Sequence, residues 1–533
     1  MKTIPGWIAR NREAAAATAA TLVVLMLRLW MGRQVTFCGV PDSCAYLALG
    51  QSLSHHHGFA LNFLYQYQFV SLHLPTHGLQ YWRPGVSFLL LLAQPFGGVT
   101  LGSSMVVATL AGVVLALAAW KIAMDFSGDR KMACASYLVC LVLPQLWNGS
   151  LTADSTLFYG AFAAWFLALF TVRFQGYVAD VLALLCVAAV DLIRNDSILL
   201  LIPLLVVLWM RWRSGQKKGA SVFYAVVIIA GYFAARVPMY VVNYDVLGKM
   251  SQAQSLHVLY LTDLSDLGRY NQPSTLHTML AEGIVKLVKL RIAAVPFIVY
   301  RIVFVEIGFA SVFLFALTLR RRDNEPTAPP ELAGGLSFAL TVFCVYGLVI
   351  PAVGIASSLR SLAGIVPLIC VLIVLSIYRA SPAGIARRLI VAIVLFYTIE
   401  GIMADRRAVT TGNQIGDRDR LVAAYLAEHG AIAGHSSLVM TGDSAQFSET
   451  TGYPAIPLPS NGLLATQQAV HDFAPAYVLL NEEDGPNATQ TQMLAALKPV
   501  NVAIVPEARI VVLTMASNGD LSIAGSPILI GPR

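Results

Sequence analysis

The chain has 533 residues, of which 57% are hydrophobic and 12% charged, and its mean hydropathy is +0.67. So few charges cannot cover so many apolar side chains in water, so the composition excludes a soluble protein and indicates an integral membrane protein. The net charge of +7 does not call for nucleic acid as a partner, because membrane topology also concentrates Lys and Arg.

The first apolar run predicts a retained membrane helix. The stretch AAAATAATLVVLMLRLWM is long enough to span and is not followed by a small-residue cleavage site, so it is not interpreted as a signal peptide. Ten further apolar runs bring the expected number of transmembrane helices to about eleven. They lie at about 101–120, 132–147, 157–172, 177–193, 198–210, 221–242, 292–319, 335–356, 362–378 and 388–403.

The run GVSFLLLLAQPFGG at 85–98 is interpreted as a helix lying in the membrane interface. Pro84 precedes it and PFGG ends it, which leaves about a dozen residues where a span needs about 20. With the N-terminus inside, this interpretation places 17 of the 36 Lys and Arg residues in cytoplasmic segments. A spanning 85–98 would move every later basic loop outside, against the positive-inside rule.

Three regions are then expected outside: a first loop at 32–100, a second at 243–291, and a tail at 404–533. The tail alternates β-rich runs such as AYVLL and RIVVLTM with helical stretches such as DRDRLVAAYLAEHG. This pattern predicts a small extracytoplasmic α/β domain. The expected fold class is therefore a polytopic α-helical membrane protein, with a transmembrane domain at 1–403 and the α/β domain after it.

Seven cysteines are present, and five of them fall in predicted helices, where Cys behaves as a small apolar residue. Cys38 and Cys44 lie in the first outside loop. In an oxidising compartment they could form a disulfide, and two free thiols are the alternative.

The first outside loop carries an acid and a basic aromatic motif. Asp42 lies close to where the first helix leaves the membrane, and Tyr81, Trp82 and Arg83 precede the interfacial helix. Tyr and Trp suit the headgroup level, and a guanidinium there would attract phosphate. The alternative for this motif is an aromatic belt with a snorkelling arginine.

Other ionisable residues fall at outside helix ends. Asp154 is expected outside the membrane, because an unpaired carboxylate in lipid would cost about 2.5–3.5 kcal/mol. As a second outside acid it could form a site together with Asp42. The alternative is that Asp154 caps the helix that follows it. Arg194 and Asp196, in the run IRNDSILLLIP, could contact substrate or form a structural pair that joins two helix ends. Arg360 precedes a proline-containing helix, where it could bind a lipid phosphate.

Taken in order and on one face, these features resemble the GT-C glycosyltransferases, in particular the bacterial relatives of protein O-mannosyltransferases and the lipid A aminoarabinose transferases. The resemblance covers about 1–400 in layout and rests on short motifs, among them LFYGAFAAWFLALF after the second acid. It implies a polyprenyl-phosphate-linked sugar donor and an envelope acceptor, which could be a lipid, a glycan or a protein. It also implies transfer at the outer face of the bacterial cytoplasmic membrane, among membrane lipids.

The resemblance also implies roles for single residues. Asp42 matches the first-loop acid that acts as catalytic base or positions the acceptor, and Asp154 matches the second acid. Arg83 or Arg360 would contact the donor phosphate. The remaining expected substrate-binding residues are Tyr81, Trp82, Arg194 and Asp196. The chemistry agrees, because a lipid phosphate is already a good leaving group and the reaction needs a base and a positive charge.

Two departures from the family pattern leave the sugar and the acceptor open. Ser43 stands where mannosyltransferases carry a second acid, and WRPG stands where aminoarabinose transferases carry a lysine before the proline. The three consecutive histidines at 55–57 are interpreted as a solvated interfacial stretch. A divalent metal between His55 and Asp42 is the alternative, but the sequence does not require a metal or any other cofactor.

Two other classes of function are alternatives to a transferase. A transporter or flippase would place ionisable residues at mid-membrane in broken helices, whereas here they cluster at outside helix ends, and no inverted repeat is visible. A membrane scaffold or chaperone would work through the tail. The tail carries no Gly-x-Ser-x-Gly, no metal-ligand spacing and no phosphate loop.

Overall fold

The computed structural model describes residues 12–67, 73–144, 146, 149–171, 177–213, 218–247, 257–300, 330–350, 360–433, 437–481, 494–515 and 528–529. The helices within them are α1 (Arg12–Gly32), α2 (Pro41–Ser54), α3 (Gly85–Leu90), α4 (Leu101–Ser127), α5 (Arg130–Leu141), α6 (Ser155–Thr171), α7 (Tyr177–Ile193), α8 (Leu201–Arg213), α9 (Lys218–Leu247), α10 (Leu276–Ala281), α11 (Ile284–Tyr300), α12 (Pro330–Cys344), α13 (Val366–Ala380), α14 (Ala383–Glu428), α15 (Ser444–Thr451) and α16 (Leu463–Phe473). The strands are β1 (Ala60–Leu61), β2 (Thr76–His77), β3 (Val439–Thr441), β4 (Ala455–Pro457), β5 (Tyr477–Asn481), β6 (Asn501–Val505), β7 (Ile510–Thr514) and β8 (Ile528–Leu529).

The helical part is a multi-pass membrane protein. By length and composition, four of the described helices could each cross a membrane: Glu13–Gly32, Leu101–Ser127, Val226–Asp245 and Arg360–Ala380. Shorter apolar helices occupy several of the other predicted runs. The runs expected at 292–319 and 335–356 lie partly outside the described residues, so the total of eleven spans stays a prediction.

Helix α4 packs against α5, α6 and α13. Glycine allows the 3₁₀ segment Ala363–Ile365, which directly precedes α13, to approach α6 closely. A Cβ added to Gly160 would lie 2.9 Å from the Cβ of Ala363, and one added to Gly364 would lie 2.7 Å from the Cβ of Ala163. Larger residues at these two positions would push the two helices apart.

The interfacial run at 85–98 forms a short helical element. Helix α3 is followed directly by a 3₁₀ segment, Leu91–Phe96, so the element has the length expected for an interfacial helix. Gly85 lets it approach the end of α7, because a Cβ there would lie 2.6 Å from the backbone oxygen of Leu192.

The tail contains a mixed six-stranded sheet in the order β4-β3-β5-β7-β6-β8. β3 pairs in parallel with β4 and β5, whereas β7 is antiparallel to both β5 and β6. The small α/β region at the C-terminal end is therefore present. Helix α14 crosses residue 404 without a break, and DRDRLVAAYLAEHG forms its last turns. The first strand of the tail, β3, begins at Val439, well beyond residue 404. The domain boundary at 404 therefore stays a prediction.

The three regions expected outside contact one another. The amide of Leu64, in the first loop, donates to the backbone oxygen of Ala455 in the tail at 2.9 Å. The amide of Ser460, in the tail, donates to the backbone oxygen of Gly268 in the second region at 3.0 Å. Since all three regions are joined by hydrogen bonds, they lie on the same side of the membrane.

Candidate active site

Asp42 lies in the first turn of α2, which begins at Pro41. A carboxylate is favoured there because the helix N-terminus carries partial positive charge. A disulfide between Cys38 and Cys44 closes the turn around Asp42. Of the two alternatives left open for these cysteines, the structure has the disulfide, and it ties the loop before α2 to the first turn of the helix.

One guanidinium lies between the two predicted catalytic acids. Arg360 Nη1 is 2.5 Å from Asp42 Oδ2, and Arg360 Nε is 3.6 Å from Asp154 Oδ2. The three side chains are 20%, 23% and 16% exposed respectively, so they face a site that solvent reaches only partly. The close approach of α6 to the 3₁₀ segment Ala363–Ile365 brings Arg360 to Asp154, because Arg360 lies three residues before that segment and Asp154 directly precedes α6.

The second oxygen of Asp42 is bound by an aromatic side chain. Trp82 Nε1 donates to Asp42 Oδ1 at 3.0 Å, and the indole itself is buried. The Trp82 ring lies 4.8 Å from that of Tyr81 and 5.2 Å from that of Tyr65, centroid to centroid. Tyr65, Tyr81 and Trp82 form what we call the aromatic wall. Sequence reasoning missed Tyr65, because no local pattern connects it to the YWRP motif.

Asp154 both caps a helix and faces Arg360. The backbone amide of Thr156 donates to the Asp154 carboxylate, so the capping alternative holds, and the Thr156 hydroxyl donates to Oδ2 at 2.8 Å. Burial alone would raise the pKa of the Asp154 carboxyl, but Arg360, Thr156 and Arg194 together hold that pKa below its ordinary value. Asp154 is therefore a carboxylate at neutral pH, and the cap does not remove it from the site.

Arg194 also lies at this end of α6. Its Nη1 donates to the Ser155 hydroxyl at 3.2 Å, and its guanidinium carbon lies 5.6 Å from the centroid of the Tyr159 ring. Asp196 belongs to the 3₁₀ segment Asn195–Leu200, and its side chain lies outside what the structure describes.

Arg83 points away from Asp42, although its neighbour Trp82 binds that residue. The Arg83 side chain is 8% exposed, and its Nε donates to Asn195 Oδ1. Burial lowers the pKa of Arg83, and the charge of Asp191 offsets part of that shift. The structure thus groups Arg83 with buried polar residues of α7 and α9.

That second group centres on Asp191, a fully buried residue of α7. Arg236 Nη2 is 2.6 Å from Asp191 Oδ1, and the Ser197 hydroxyl donates to the same oxygen at 2.6 Å. The Arg236 partner was not anticipated from the sequence. Its signal was an arginine within the apolar run 221–242, since such a residue usually pairs with an acid.

Comparison with solved structures identifies the architecture. ArnT from Cupriavidus metallidurans in the apo state matches with a TM-score of 0.60 and 12% identity, over 97% of this chain and 100% of that one. ArnT from the same organism bound to undecaprenyl phosphate matches with a TM-score of 0.57 and 14% identity, over 98% and 100%. The archaeal oligosaccharyltransferase AglB from Archaeoglobus fulgidus, in complex with an inhibitory peptide and a dolichol-phosphate, matches with a TM-score of 0.53 and 11% identity, over 93% and 73%.

Both of these proteins are members of the GT-C superfamily. This chain has the GT-C fold. No protein-family model matches the chain, and no curated protein matches it in sequence. The similarity therefore lies in the three-dimensional arrangement, which extends over nearly the whole chain.

His55 lies at the opposite end of α2 from Asp42. Asp42 is at the start of α2 and His55 follows its last residue, so the helix separates them by about 20 Å. The alternative of a metal shared by His55 and Asp42 is therefore wrong. Among the residues that the structure describes, no group of three or more His, Cys, Asp or Glu side chains could hold a metal ion.

Proposed function

We propose that this protein is a glycosyltransferase that moves a sugar from a polyprenyl-phosphate-linked donor to an envelope acceptor at the outer face of the bacterial cytoplasmic membrane. The observation that carries the proposal is the pairing of one guanidinium with two carboxylates where the helical bundle meets its extramembrane loops. The GT-C fold supports it, as do two of the similar structures, which hold undecaprenyl phosphate and a dolichol-phosphate.

The reaction needs few groups. Asp42 accepts the proton of the acceptor hydroxyl while the acceptor oxygen forms its bond to the anomeric carbon of the sugar. The bond from that carbon to the donor phosphate breaks, and the polyprenyl phosphate leaves with the electron pair. Arg360 stabilises the phosphate charge, since a guanidinium can donate two parallel hydrogen bonds to it. No general acid is required, because the phosphate leaves as an anion.

The ion pair in the structure suggests an order of binding. Arg360 Nη1 lies 2.5 Å from Asp42 Oδ2 and so occupies an oxygen that could accept the proton of the acceptor hydroxyl. A donor phosphate competes for the same guanidinium. Donor binding therefore draws Arg360 from Asp42 and leaves the carboxylate able to accept a proton from the acceptor.

Three observations support the outer face. The basic loops mark the opposite side by the positive-inside rule. The regions expected outside share one side with the site. A disulfide encloses Asp42, and disulfides persist in an oxidising compartment such as the one at the outer face.

The experiment compares envelope lipids, glycans and proteins by mass spectrometry in cells that lack the protein, carry the wild type, or carry Asp42→Asn. We expect a sugar-bearing component that is present with the wild type and absent from the other two, at matched protein levels. Asp417→Asn is the control, because Asp417 is an acid on α14 whose side chain is 66% exposed. An unchanged envelope profile in cells lacking the protein would reject a transferase and favour the flippase alternative.

A further inference from the structure

A segment of the first outside loop is built into the sheet of the tail. The amide of Leu64 donates to the backbone oxygen of Ala455 at 2.9 Å, and the Ala455 amide donates to the backbone oxygen of Asn62 at 3.1 Å. Phe63 pairs in parallel with Ala455 between these two bonds. Ala455 belongs to β4, the edge strand of the described sheet. Residues 62–64, here called the edge segment, therefore continue the sheet beyond its own strands.

Two hydroxyl groups bind the C-terminal side of the edge segment to the tail. The hydroxyl of Ser444, the first residue of α15, donates to the backbone oxygen of Leu64 at 2.5 Å. The hydroxyl of Tyr67 donates to the backbone oxygen of Pro457. The Tyr67 ring also packs edge-on against Tyr270 of the second outside region, 4.8 Å between centroids. Leu64 and Tyr67 of the first loop are thus hydrogen-bonded to the tail.

The edge segment leads directly to the predicted base. The Phe63 ring lies edge-on to the Trp82 ring at 5.9 Å, and the Tyr65 ring lies 5.2 Å from the same indole. The Tyr65 ring is also 5.1 Å from that of Tyr81. Trp82 Nε1 in turn binds Asp42 Oδ1. Ala455 of β4 thus contacts the edge segment, the edge segment contacts Trp82, and Trp82 contacts the Asp42 carboxylate.

The position of the Trp82 ring decides whether Asp42 keeps its hydrogen bond to the indole. An indole has a single N–H donor, so its hydrogen bond to Asp42 depends on where the whole ring is held. Phe63 and Tyr65 are the rings that support it from the side of the tail. A displacement of about 1 Å at a reacting group can cost on the order of 10²-fold in rate.

We propose that the tail is part of the catalytic apparatus: its sheet holds residues 62–64 so that Phe63 and Tyr65 keep the Trp82 indole on Asp42. Tyr65 is then a positioning residue that acts through Trp82, and the tail sets the orientation of the base. The inference rests on the proposed function, because it concerns the same carboxylate.

A double-mutant cycle tests it. In membranes with matched protein levels, Tyr65→Ala should slow formation of the sugar-bearing product on the order of 10²-fold, because the indole loses its support. Trp82→Phe should slow it as well, since Phe cannot donate to Asp42. Adding Tyr65→Ala to Trp82→Phe should then cost little more, because residues that act through one contact are not additive. Each purified variant should elute from a sizing column in detergent as the wild type does, which shows that the variants fold.

Ser444 provides a second arm with a conservative rescue. Ser444→Ala removes the hydroxyl that binds Leu64 and should slow transfer, whereas Ser444→Thr keeps a hydroxyl and should restore it. Tyr453→Phe is the matched control, because the Tyr453 hydroxyl also binds a backbone oxygen of the tail, that of Ala431, and not one of the edge segment.

The outcomes separate the two proposals. If the wild type transfers sugar but the costs of Tyr65→Ala and Trp82→Phe add in full, the positioning role is overturned and the transferase proposal stands. Wild-type turnover by Tyr65→Ala would overturn the positioning role in the same way. Absence of any transfer by the wild type would overturn the proposed function, and this inference with it.

Discussion

Asp42 is bound on both carboxylate oxygens by different donors, the indole of Trp82 on Oδ1 and the guanidinium of Arg360 on Oδ2. The two contacts have different consequences. The neutral indole orients the carboxylate and leaves its charge in place. The guanidinium cancels that charge and is itself the group that a phosphate would bind. Donor binding and base activation are therefore linked through Arg360.

The first prediction at this scale concerns Asp42→Asn. The amide cannot accept the acceptor proton, so transfer should fall by about 10²–10⁴-fold. Affinity for undecaprenyl phosphate should rise, because Arg360 then faces one competing carboxylate, that of Asp154, in place of two. Titration of the purified variant with undecaprenyl phosphate measures the second effect. Weaker binding than the wild type would refute the competition between Asp42 and phosphate.

The second prediction separates the two arginines expected to hold the phosphate. Arg360→Lys should weaken undecaprenyl phosphate binding by about 1.5–3 kcal/mol, the value of one charged hydrogen bond. Arg83→Lys should leave that binding unchanged, because Arg83 is buried against Asn195 and does not face Asp42. The same titration compares both variants. A larger loss with Arg83→Lys would move the phosphate site to the second polar group, around Asp191.

At the scale of elements, the site depends on how closely α6 and the start of α13 approach each other. Gly160 and Gly364 permit this approach, because added Cβ atoms there would meet alanine Cβ atoms at 2.9 Å and 2.7 Å. Both glycines lie within two turns of the residues that form the ion pair, Asp154 and Arg360. The close packing of these two segments therefore also fixes the distance between Asp154 and Arg360.

Gly364→Val should push α13 from α6 and draw Arg360 away from Asp154. Overpacking of this kind costs about 1–3 kcal/mol in stability. We expect a lower melting temperature in detergent and weaker binding of undecaprenyl phosphate. Gly384→Val is the control, since it also puts Val into a helix but has nothing within 4 Å of the added Cβ. Equal losses from the two substitutions would show that helix propensity, and not the close approach, sets the effect.

At the scale of the whole molecule, the three regions predicted outside form one extramembrane unit around the site. The first loop supplies Asp42 and the aromatic wall, the second packs on the tail through Gly268 and Tyr270, and the tail supplies the sheet. A transferase at the outer face needs its base and its acceptor on the same side. With the orientation that the positive-inside rule predicts, this shared unit places the base at the outer face, where the acceptor lies.

The orientation prediction can be tested by thiol labelling in intact cells. Leu464→Cys, at a position in the tail that is 81% exposed, should react with a membrane-impermeant reagent. Lys131→Cys, in a predicted cytoplasmic segment, should react only after the membrane is permeabilised. The reverse labelling pattern would place the tail and Asp42 in the cytoplasm and overturn the outer-face reaction.

The sequence by itself determined the membrane class, a helical bundle with a C-terminal α/β region, and several of the residues that the structure brings together. Asp42, Trp82, Asp154, Arg194 and Arg360 were all chosen from their positions at outside helix ends. Such positions can be read from sequence, because the cost of transferring each side chain into lipid is largely a property of that residue and its near neighbours.

Only the tertiary structure decided which of these side chains meet. Arg360 reaches Asp42 across 318 positions, and Ala455 binds the edge segment across nearly 400, so neither contact leaves a local pattern. Trp82 and Arg83 are adjacent and share one motif, yet one binds Asp42 and the other Asn195. The reason is physical: hydropathy adds up along the chain, whereas the direction of a side chain depends on the segments that pack against it.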